Sequence, residues 1–444
     1  MRRLPLTYIQ MIALGFFLII ITGGLILSLP VSSRDGSFTP IVDSIFTASS
    51  ATCVTGLVVY DTYTHWSLFG QIVIITLIQI GGLGFMSLAT LFSMMLHRKI
   101  GLRERELMKE AANTTQLGGI VRFTKHILVG TFIFEGIGAF LLSLRFIPKM
   151  GLVRGIYNGV FHSVSAFCNA GFDIMGKYGK FTSLTTFHED YLVNIVIMSL
   201  IVIGGIGFYV WDDIRENKLR VKSYHLHTKI VLTTTACLIV IPAIAIFFIE
   251  QNGVLKGMST PIGLLASFFQ SVTARTAGFN TVDTGALKSP SLLIVMALMF
   301  IGGSPGSTAG GIKTSTFAVI VISMVAVIKN RSTTFAFRRR FEDDVLKRAC
   351  SVFFIYLGVA FVSAVAMGIA QGFTMEQIFF EIFSAIGTVG LTTGITPHLC
   401  TFSRILIACL MYFGRVGILS MAAALVKTPE YPPVLYPTDK ILIG

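Results

Sequence analysis

FTASSATCVTGL (46–57), FHSVSAFCNAGF (161–172), FFQSVTARTAGF (268–279) and FEIFSAIGTVGL (380–391) align with one another without a gap. Each opens on Phe and places a glycine at the same offset: Gly56, Gly171, Gly278 and Gly390. The residue that follows is always large and apolar: Leu57, Phe172, Phe279 and Leu391. Agreement at this many registered positions marks an internal repeat, and a fold read without its repeat is misread. The register continues downstream as IGGLGF (80–85), IGGIGF (203–208), IGGSPG (301–306) and FGRVGI (413–418). From Gly56 to Gly81 is 25 residues, from Gly171 to Gly204 33, from Gly278 to Gly302 24 and from Gly390 to Gly414 24. The second repeat thus carries an insertion, placed around 177–189.

Working outward from these segments, apolar runs long enough to cross roughly 30 Å of hydrocarbon recur along the chain. Of its 444 residues 53% are hydrophobic and 13% charged, with a mean hydropathy of +0.77. Soluble domains carry about 25% charged residues, so most of this chain belongs in lipid. The first run (8–29) follows Arg2 and Arg3 and resembles a signal peptide. It is too long for a signal core and no small-residue cleavage site follows, so it reads as the first membrane helix.

The repeated glycines could pass for nucleotide loops. No β-strand pattern precedes them, however, and in GSTAGGIKT (306–314) Ile312 separates Gly311 from Lys313, which breaks the phosphate-loop spacing. Close helix packing through small residues is the plainer reading. Each repeat then parses as an outer membrane helix, a half-length pore helix, an extended loop and an inner helix. Thr39-Pro40 and Thr260-Pro261 look like helix starts, a cap followed by Pro at the first helical position. Irregular backbone at membrane depth is tolerated only against protein or a water-filled cavity. Four such loops therefore predict a shared central cavity.

The expected fold is an all-α polytopic membrane protein with four covalently linked helix–pore loop–helix repeats, arranged pseudo-fourfold around one pore. The repeats divide the chain at 1–100, 101–225, 226–330 and 331–427, with a tail at 428–444.

A dehydrated alkali cation needs hard oxygen ligands, and backbone carbonyls supply them without fixed charge. Aligning consecutive carbonyls along one axis demands backbone angles that glycine reaches most cheaply. The candidate potassium filter is therefore Val54-Thr55-Gly56, Asn169-Ala170-Gly171, Thr276-Ala277-Gly278 and Thr388-Val389-Gly390. One glycine per loop predicts one dominant ring of coordination. For any loop alone a tight turn would explain the glycine; the registered set argues otherwise. Arg275 stands where Cys53 and Cys168 stand in the first two loops. A cation lining a cation filter defeats its purpose, so Arg275 is expected to point behind it, with Glu381 as a possible partner. Glu135, in the second outer helix, is expected to face away from the pore, and His162 to pack within its pore helix.

The single-glycine loops, the inner-helix glycines and the cytosolic basic bias resemble the Trk/Ktr/HKT superfamily of potassium transporters, most closely the membrane subunits of bacterial Ktr systems. The resemblance covers essentially the whole chain. It implies potassium uptake across the bacterial plasma membrane, with possible sodium dependence, and an intramembrane gating loop in the third inner helix. It also implies a homodimer carrying a cytosolic KtrA-type ring of regulatory subunits that bind ATP or ADP. The connectors and the tail are too short for a nucleotide domain, so such control would come from another chain.

Two features stand out as candidate gates. Gly302, Gly303, Ser304, Pro305, Gly306, Ser307, Thr308, Ala309, Gly310 and Gly311, followed by Lys313, cannot sustain a regular helix. Either the third inner helix is kinked and tightly packed, or this segment is a flexible block below the filter, as the resemblance implies. Lys313 would hold the segment or repel cations. Arg415 aligns with Gly82, Gly205 and Gly303 and is expected to face the cavity. Intramembrane charge is costly and usually functional. Arg415 is either a buried partner for an acid or an electrostatic barrier, the role the resemblance implies.

The net charge of +13 does not imply nucleic acid. Basic residues cluster at 98–125, 215–229 and 329–348, between successive repeats. That is the positive-inside pattern, which places these clusters and the N-terminus in the cytoplasm. A partner protein or anionic lipid is a plausible ligand for them. The six cysteines show no metal or redox spacing and read as small apolar residues. Two rival functions are disfavoured. A secondary transporter would show inverted halves and broken helices at midplane, and a membrane enzyme would show an intramembrane His/Asp cluster or a nucleophile motif.

Overall fold

The computed structural model describes residues 7–84, 101–111, 119–218, 220–331, 333–417 and 437. Arg2, Arg3, Arg98, the tail at 428–444 apart from residue 437, and the residues that follow Gly84 and Gly417 in the first and fourth repeats lie outside the described residues.

Four long apolar helices fall one per repeat: Tyr8–Ser28, Ile120–Met150, Leu226–Glu250 and the helix whose apolar stretch runs 344–370. These are the outer helices, and their sequences explain their ends. The first starts on a capping box between Thr7 and Gln10 and stops at Ser28, two residues before Pro30, which disfavours helical backbone at Leu29. The second runs from Gly119 (φ +79°) to Gly151 (φ +86°), both in backbone that side chains avoid. Its 31 residues extend roughly 46 Å at 1.5 Å per residue, more than the hydrocarbon requires. Large apolar side chains such as Leu18, Phe132, Phe140, Phe248, Phe361 and Ile369 lie exposed on these helices. In a soluble protein such a surface would be an aggregation site; on a polytopic membrane protein it faces acyl chains.

The pore helices are Ile41–Thr52, Leu152–Phe167, Thr260–Thr273 and Met375–Ile386. Two of their starts differ from expectation. Pro40 occupies the N-cap position of the first, and Thr39 Oγ1 instead meets His65 Nε2 at 3.0 Å. The third is capped by Ser259, with Thr260 already helical. The fourth starts on a capping box between Thr374 and Gln377, a signal present in the sequence and overlooked.

Each pore helix packs between its own outer and inner helices, and each inner helix also packs on the pore helix of the next repeat. Leu68–Leu83 meets the second pore helix, Tyr191–Gly205 the third and Ser289–Phe300 the fourth. Thr401–Val416 meets the first, which closes the circle. A short ion pair from Arg404 on that last helix to Asp43 on the first pore helix (2.6 Å) pins the closure, and Tyr60 Oη donates to the same carboxylate (2.9 Å). The only strands among the described residues are Phe335–Ala336 and Arg339–Arg340, a small antiparallel hairpin between the third and fourth repeats.

All of the inner helices leave helical conformation at the IGG-type motif. The first ends at Gly84 (φ +78°) and the fourth at Gly417 (φ +94°). The second bends by 95° at Ile206-Gly207 before resuming as Phe208–Asn217. The third leaves the helix after Phe300 and resumes only at Thr314. The expected interruption of the third helix is present; the glycines of the other motifs, read as packing positions, also lie where their helices end or bend. Packing does explain their first glycine. A Cβ at Gly81, Gly204 or Gly414 would overlap the carbonyl oxygen of Thr52, Phe167 or Ile386, the last helical residue of the pore helix in the same repeat.

Candidate functional site: the loop ring and the segment beneath it

At the end of each pore helix the backbone turns the same way. Val54 (φ +51°), Asn169 (φ +58°), Thr276 (φ +69°) and Thr388 (φ +50°) are left-handed, and so are Gly56 (φ +96°), Gly171 (φ +68°), Gly278 (φ +81°) and Gly390 (φ +92°). The residue between them, Thr55, Ala170, Ala277 or Val389, is absent from that region. Left-handed conformation is uncommon for side-chain-bearing residues, and for β-branched Val and Thr it is a true outlier. Its recurrence at one register in every loop makes it a feature of the repeat. Left-handed residues flanking an ordinary one turn successive carbonyls toward the same side.

The glycines meet in a ring. A Cβ on Gly56 would lie 2.5 Å from the Ala170 carbonyl oxygen, and one on Gly171 2.5 Å from that of Ala277. A Cβ on Gly278 would strike the Val389 carbonyl, and one on Gly390 the Thr55 carbonyl, which returns the circuit to the first loop. Each glycine therefore leaves room for the carbonyl that precedes the next glycine. All twelve predicted loop residues are brought together here.

Hydroxyls brace the loops from behind. Ser50 Oγ accepts from Gly56 N (3.0 Å) and Ser384 Oγ from Gly390 N (3.1 Å). Ser165 Oγ donates to the Phe172 carbonyl (2.7 Å) and Thr273 Oγ1 to that of Phe279 (2.8 Å). Sequence reasoning passed over these residues, although Ser50, Ser165 and Ser384 share one offset in the aligned segments. In the third loop that offset holds Val272, and Thr273, one residue later, takes over. His162 is buried within its pore helix as expected, with Nδ1 2.8 Å from the Asn158 carbonyl and against the rings of Phe146 and Phe161.

Arg275 points behind the loops, as anticipated, into a crevice lined by Ile201, Val202, Thr235 and Ile239. Its expected partner is wrong. The Glu381 carboxylate accepts from Thr392 Oγ1 (2.8 Å) and from the Thr396 hydroxyl, whereas Arg275 Nη2 donates to the Gly302 carbonyl at 3.4 Å. Glu135 is buried and takes a structural place between helices. It accepts from Gln79 Nε2 (3.2 Å) and lies beside Cys168, tying the second outer helix to the first inner helix.

The non-helical segment 301–313 lies directly under the ring. Gly310 abuts the Thr388 side chain, and Gly302 lies close to Thr276, where a Cβ would approach Cγ2 to 3.2 Å. Thr308 Oγ1 is 3.4 Å from the Asn169 amide, which is itself 3.1 Å from Thr276 Oγ1. The segment is held on several sides. Ser304 N donates to the Gly205 carbonyl (2.9 Å) and Thr308 N to that of Gly204 (3.3 Å). Ser304 and Thr314 hydroxyls pair at 2.8 Å, and Lys313 Nζ donates to the Ala309 carbonyl (2.8 Å). Of the two roles considered for Lys313, this geometry serves the first, holding the segment.

Arg415 completes the arrangement from the fourth inner helix. Its guanidinium donates to the Thr308 carbonyl on one side and to the Gly81 and Gly82 carbonyls on the other, the last at 3.1 Å. Among the described residues no carboxylate lies within ion-pair distance of it. Carbonyl oxygens satisfy the planar fork of donors, and they do so across three repeats at once.

A ring of loops that bring backbone carbonyls together offers a cation uncharged oxygen ligands. The sequence matches the family model described as a cation transport protein, TrkH, over residues 11–432. The chain belongs to the TrkH family. It is 41% identical over 439 residues to the Ktr system potassium uptake protein B of Bacillus subtilis, covering 98% of this chain and 96% of that one. To the potassium/sodium uptake protein NtpJ of Enterococcus hirae it is 40% identical over 450 residues, covering 100% and 98%. The crystal structure of the potassium transporter TrkH from Vibrio parahaemolyticus has the same fold, with a TM-score of 0.75 at 17% identity over 96% of this chain and 86% of that one. Membership of the TrkH family accords with the repeat and with the helical, polytopic architecture.

Proposed function

We propose that this TrkH-family chain mediates potassium uptake through a single pore, with 54–56, 169–171, 276–278 and 388–390 as its selectivity filter. The observation that carries this reading is the registered pair of left-handed residues in every loop, with each glycine seating its neighbour's carbonyl. Such a ring offers a dehydrated cation uncharged oxygens at fixed positions. The names of the relatives support potassium as the ion, and that of the Enterococcus relative supports a role for sodium as well.

The segment 302–311 with Lys313 acts as the gate, and Arg415 is its latch. Passage requires the segment to leave the space under Asn169, Thr276 and Thr388, and the guanidinium holds it there by Thr308. While seated, the positive charge also opposes a cation descending from the filter. The positive-inside distribution supports a bacterial plasma-membrane protein with a cytoplasmic N-terminus. Its likeness to a Ktr-system component supports a homodimer working with a cytosolic KtrA-type ring that binds ATP or ADP, the basic connectors being the docking surface. Potassium and sodium flux into liposomes containing the purified chain, with and without such a ring, tests the reading. Potassium-selective flux is expected, and protein that moves neither ion would overturn it.

A further inference from the structure

Beside the gate lies a cleft that neither the filter nor the gate uses. Its volume is about 820 Å³, within the range of roughly 300–1,000 Å³ that ligand sites occupy. One wall is the first turns of the second outer helix, residues 122–134; the other is the bent second inner helix, with Ile206, Phe208 and Trp211. The interior is almost wholly apolar. The rim is not: Arg122, Lys125 and Arg215 stand exposed around it, while Asp212 is engaged by His126 at 3.5 Å. The 95° bend sets Phe208–Asn217, which carries Asp212, Asp213, Arg215 and Glu216, across the line of the apolar helix before it, so charged residues lie next to the apolar cleft.

We propose that this cleft is a binding site for an anionic phospholipid, with an acyl chain between the second outer helix and Trp211 and the phosphate among Arg122, Lys125 and Arg215. The apolar interior suits an acyl chain, which the surrounding bilayer supplies. The three cations suit a headgroup with net negative charge and give a zwitterionic one no comparable gain. The cleft also has a mechanical connection. Phe208 N donates to the Gly306 carbonyl (2.8 Å), and Trp211 Nε1 donates to that of Ile203 (2.9 Å), next to the glycines that hold Ser304 and Thr308. A lipid seated against Phe208 and Trp211 therefore bears on the same backbone that anchors the segment under the ring. The lipid site stands on the cleft alone; its effect on flux rests on that segment being the gate.

The test is native mass spectrometry of the full chain in detergent, titrated with phosphatidylglycerol or phosphatidylcholine. Phosphatidylglycerol is expected to remain bound under conditions that strip phosphatidylcholine. The triple variant Arg122→Gln, Lys125→Gln, Arg215→Gln should hold it at least about tenfold more weakly. Gly130→Leu keeps the rim but intrudes on the cleft, since a Cβ there already lies 3.1 Å from Trp211 Cζ3; it should displace the lipid too, and serves if the triple variant does not fold. In liposomes, potassium flux of the parent should change with the phosphatidylglycerol fraction and that of the variants should not. Equal retention of both lipids, or undiminished phosphatidylglycerol binding by the variants, overturns the site. So does efficient disulfide crosslinking of Ile133→Cys between two copies, which would make the cleft a subunit interface. A parent that binds phosphatidylglycerol selectively yet moves no potassium would overturn the transport reading and leave the lipid site standing.

Discussion

The loop ring and the inner helices below it come from the same repeats, yet one keeps fourfold likeness and the other abandons it. In the ring, left-handed residues recur at the same register and the contacts run around the circle without a gap. One layer down, the second helix bends over two residues and resumes, whereas the third spends residues 301–313 outside the helix. At the position of Gly82, Gly205 and Gly303 the fourth helix puts Arg415. A site that must surround a spherical ion gains from equal sides. A site that must open and close gains from one side that differs, because a single bistable element is easier to bias than four coupled ones. On the proposed reading, the difference separates selectivity from control, with the change falling between Thr388 and Gly310.

The most damaging way to break the symmetric layer is Gly390→Ser. A left-handed side-chain residue costs about 1–2 kcal/mol, and here its Cβ also meets the Thr55 carbonyl and the Gly56 backbone. Potassium preference over sodium should fall by at least about tenfold, measured as competing fluxes into liposomes; unchanged preference would remove Gly390 from the filter. Next comes the asymmetric layer. Arg415→Ala removes charge-assisted bonds worth about 1.5–3 kcal/mol each, so basal flux should rise on the order of tenfold, as should that of a chain shortened within 304–311. Lower or unchanged flux from normally expressed protein would sink the latch. The smallest effect is expected for Ser384→Ala, which leaves Gly390 N without its hydroxyl partner at a cost of about 1 kcal/mol. A modest loss of thermal stability and a small drop in preference should appear. Val272→Ser in the third loop, whose brace is Thr273, should lower stability, since Val272 is buried in the core, yet leave potassium preference unchanged; a large change in preference there would show that the loops are less alike than their backbone.

The twelve loop residues were legible because repetition multiplies weak signals. A lone glycine says little, but four in register with Phe before and an apolar residue after define the element. The non-helical segment of the third inner helix was legible from composition alone, since Gly and Pro at the density of Gly302 to Gly311 do not sustain a helix. What escaped were contacts between repeats. Glu381 was offered to Arg275 because both are buried charges near the loops; in three dimensions Thr392 and Thr396 satisfy the acid, and Arg275 turns to a backbone carbonyl. Linear spacing carries no record of which repeat follows which around the circle. The same blindness hid the bend of the second inner helix, because a glycine that packs and a glycine that ends a helix look alike in sequence. Thr39 was misread for a smaller reason. A cap signal is local, and the tertiary contact with His65 outbid it.

The ring closes only when Gly390 meets the Thr55 carbonyl. During synthesis the first loop leaves the ribosome long before the fourth, and until then Thr55 has no neighbour on one side. The ring therefore cannot be completed before the fourth repeat is in place. On the proposed reading, a partly made chain has no finished pore.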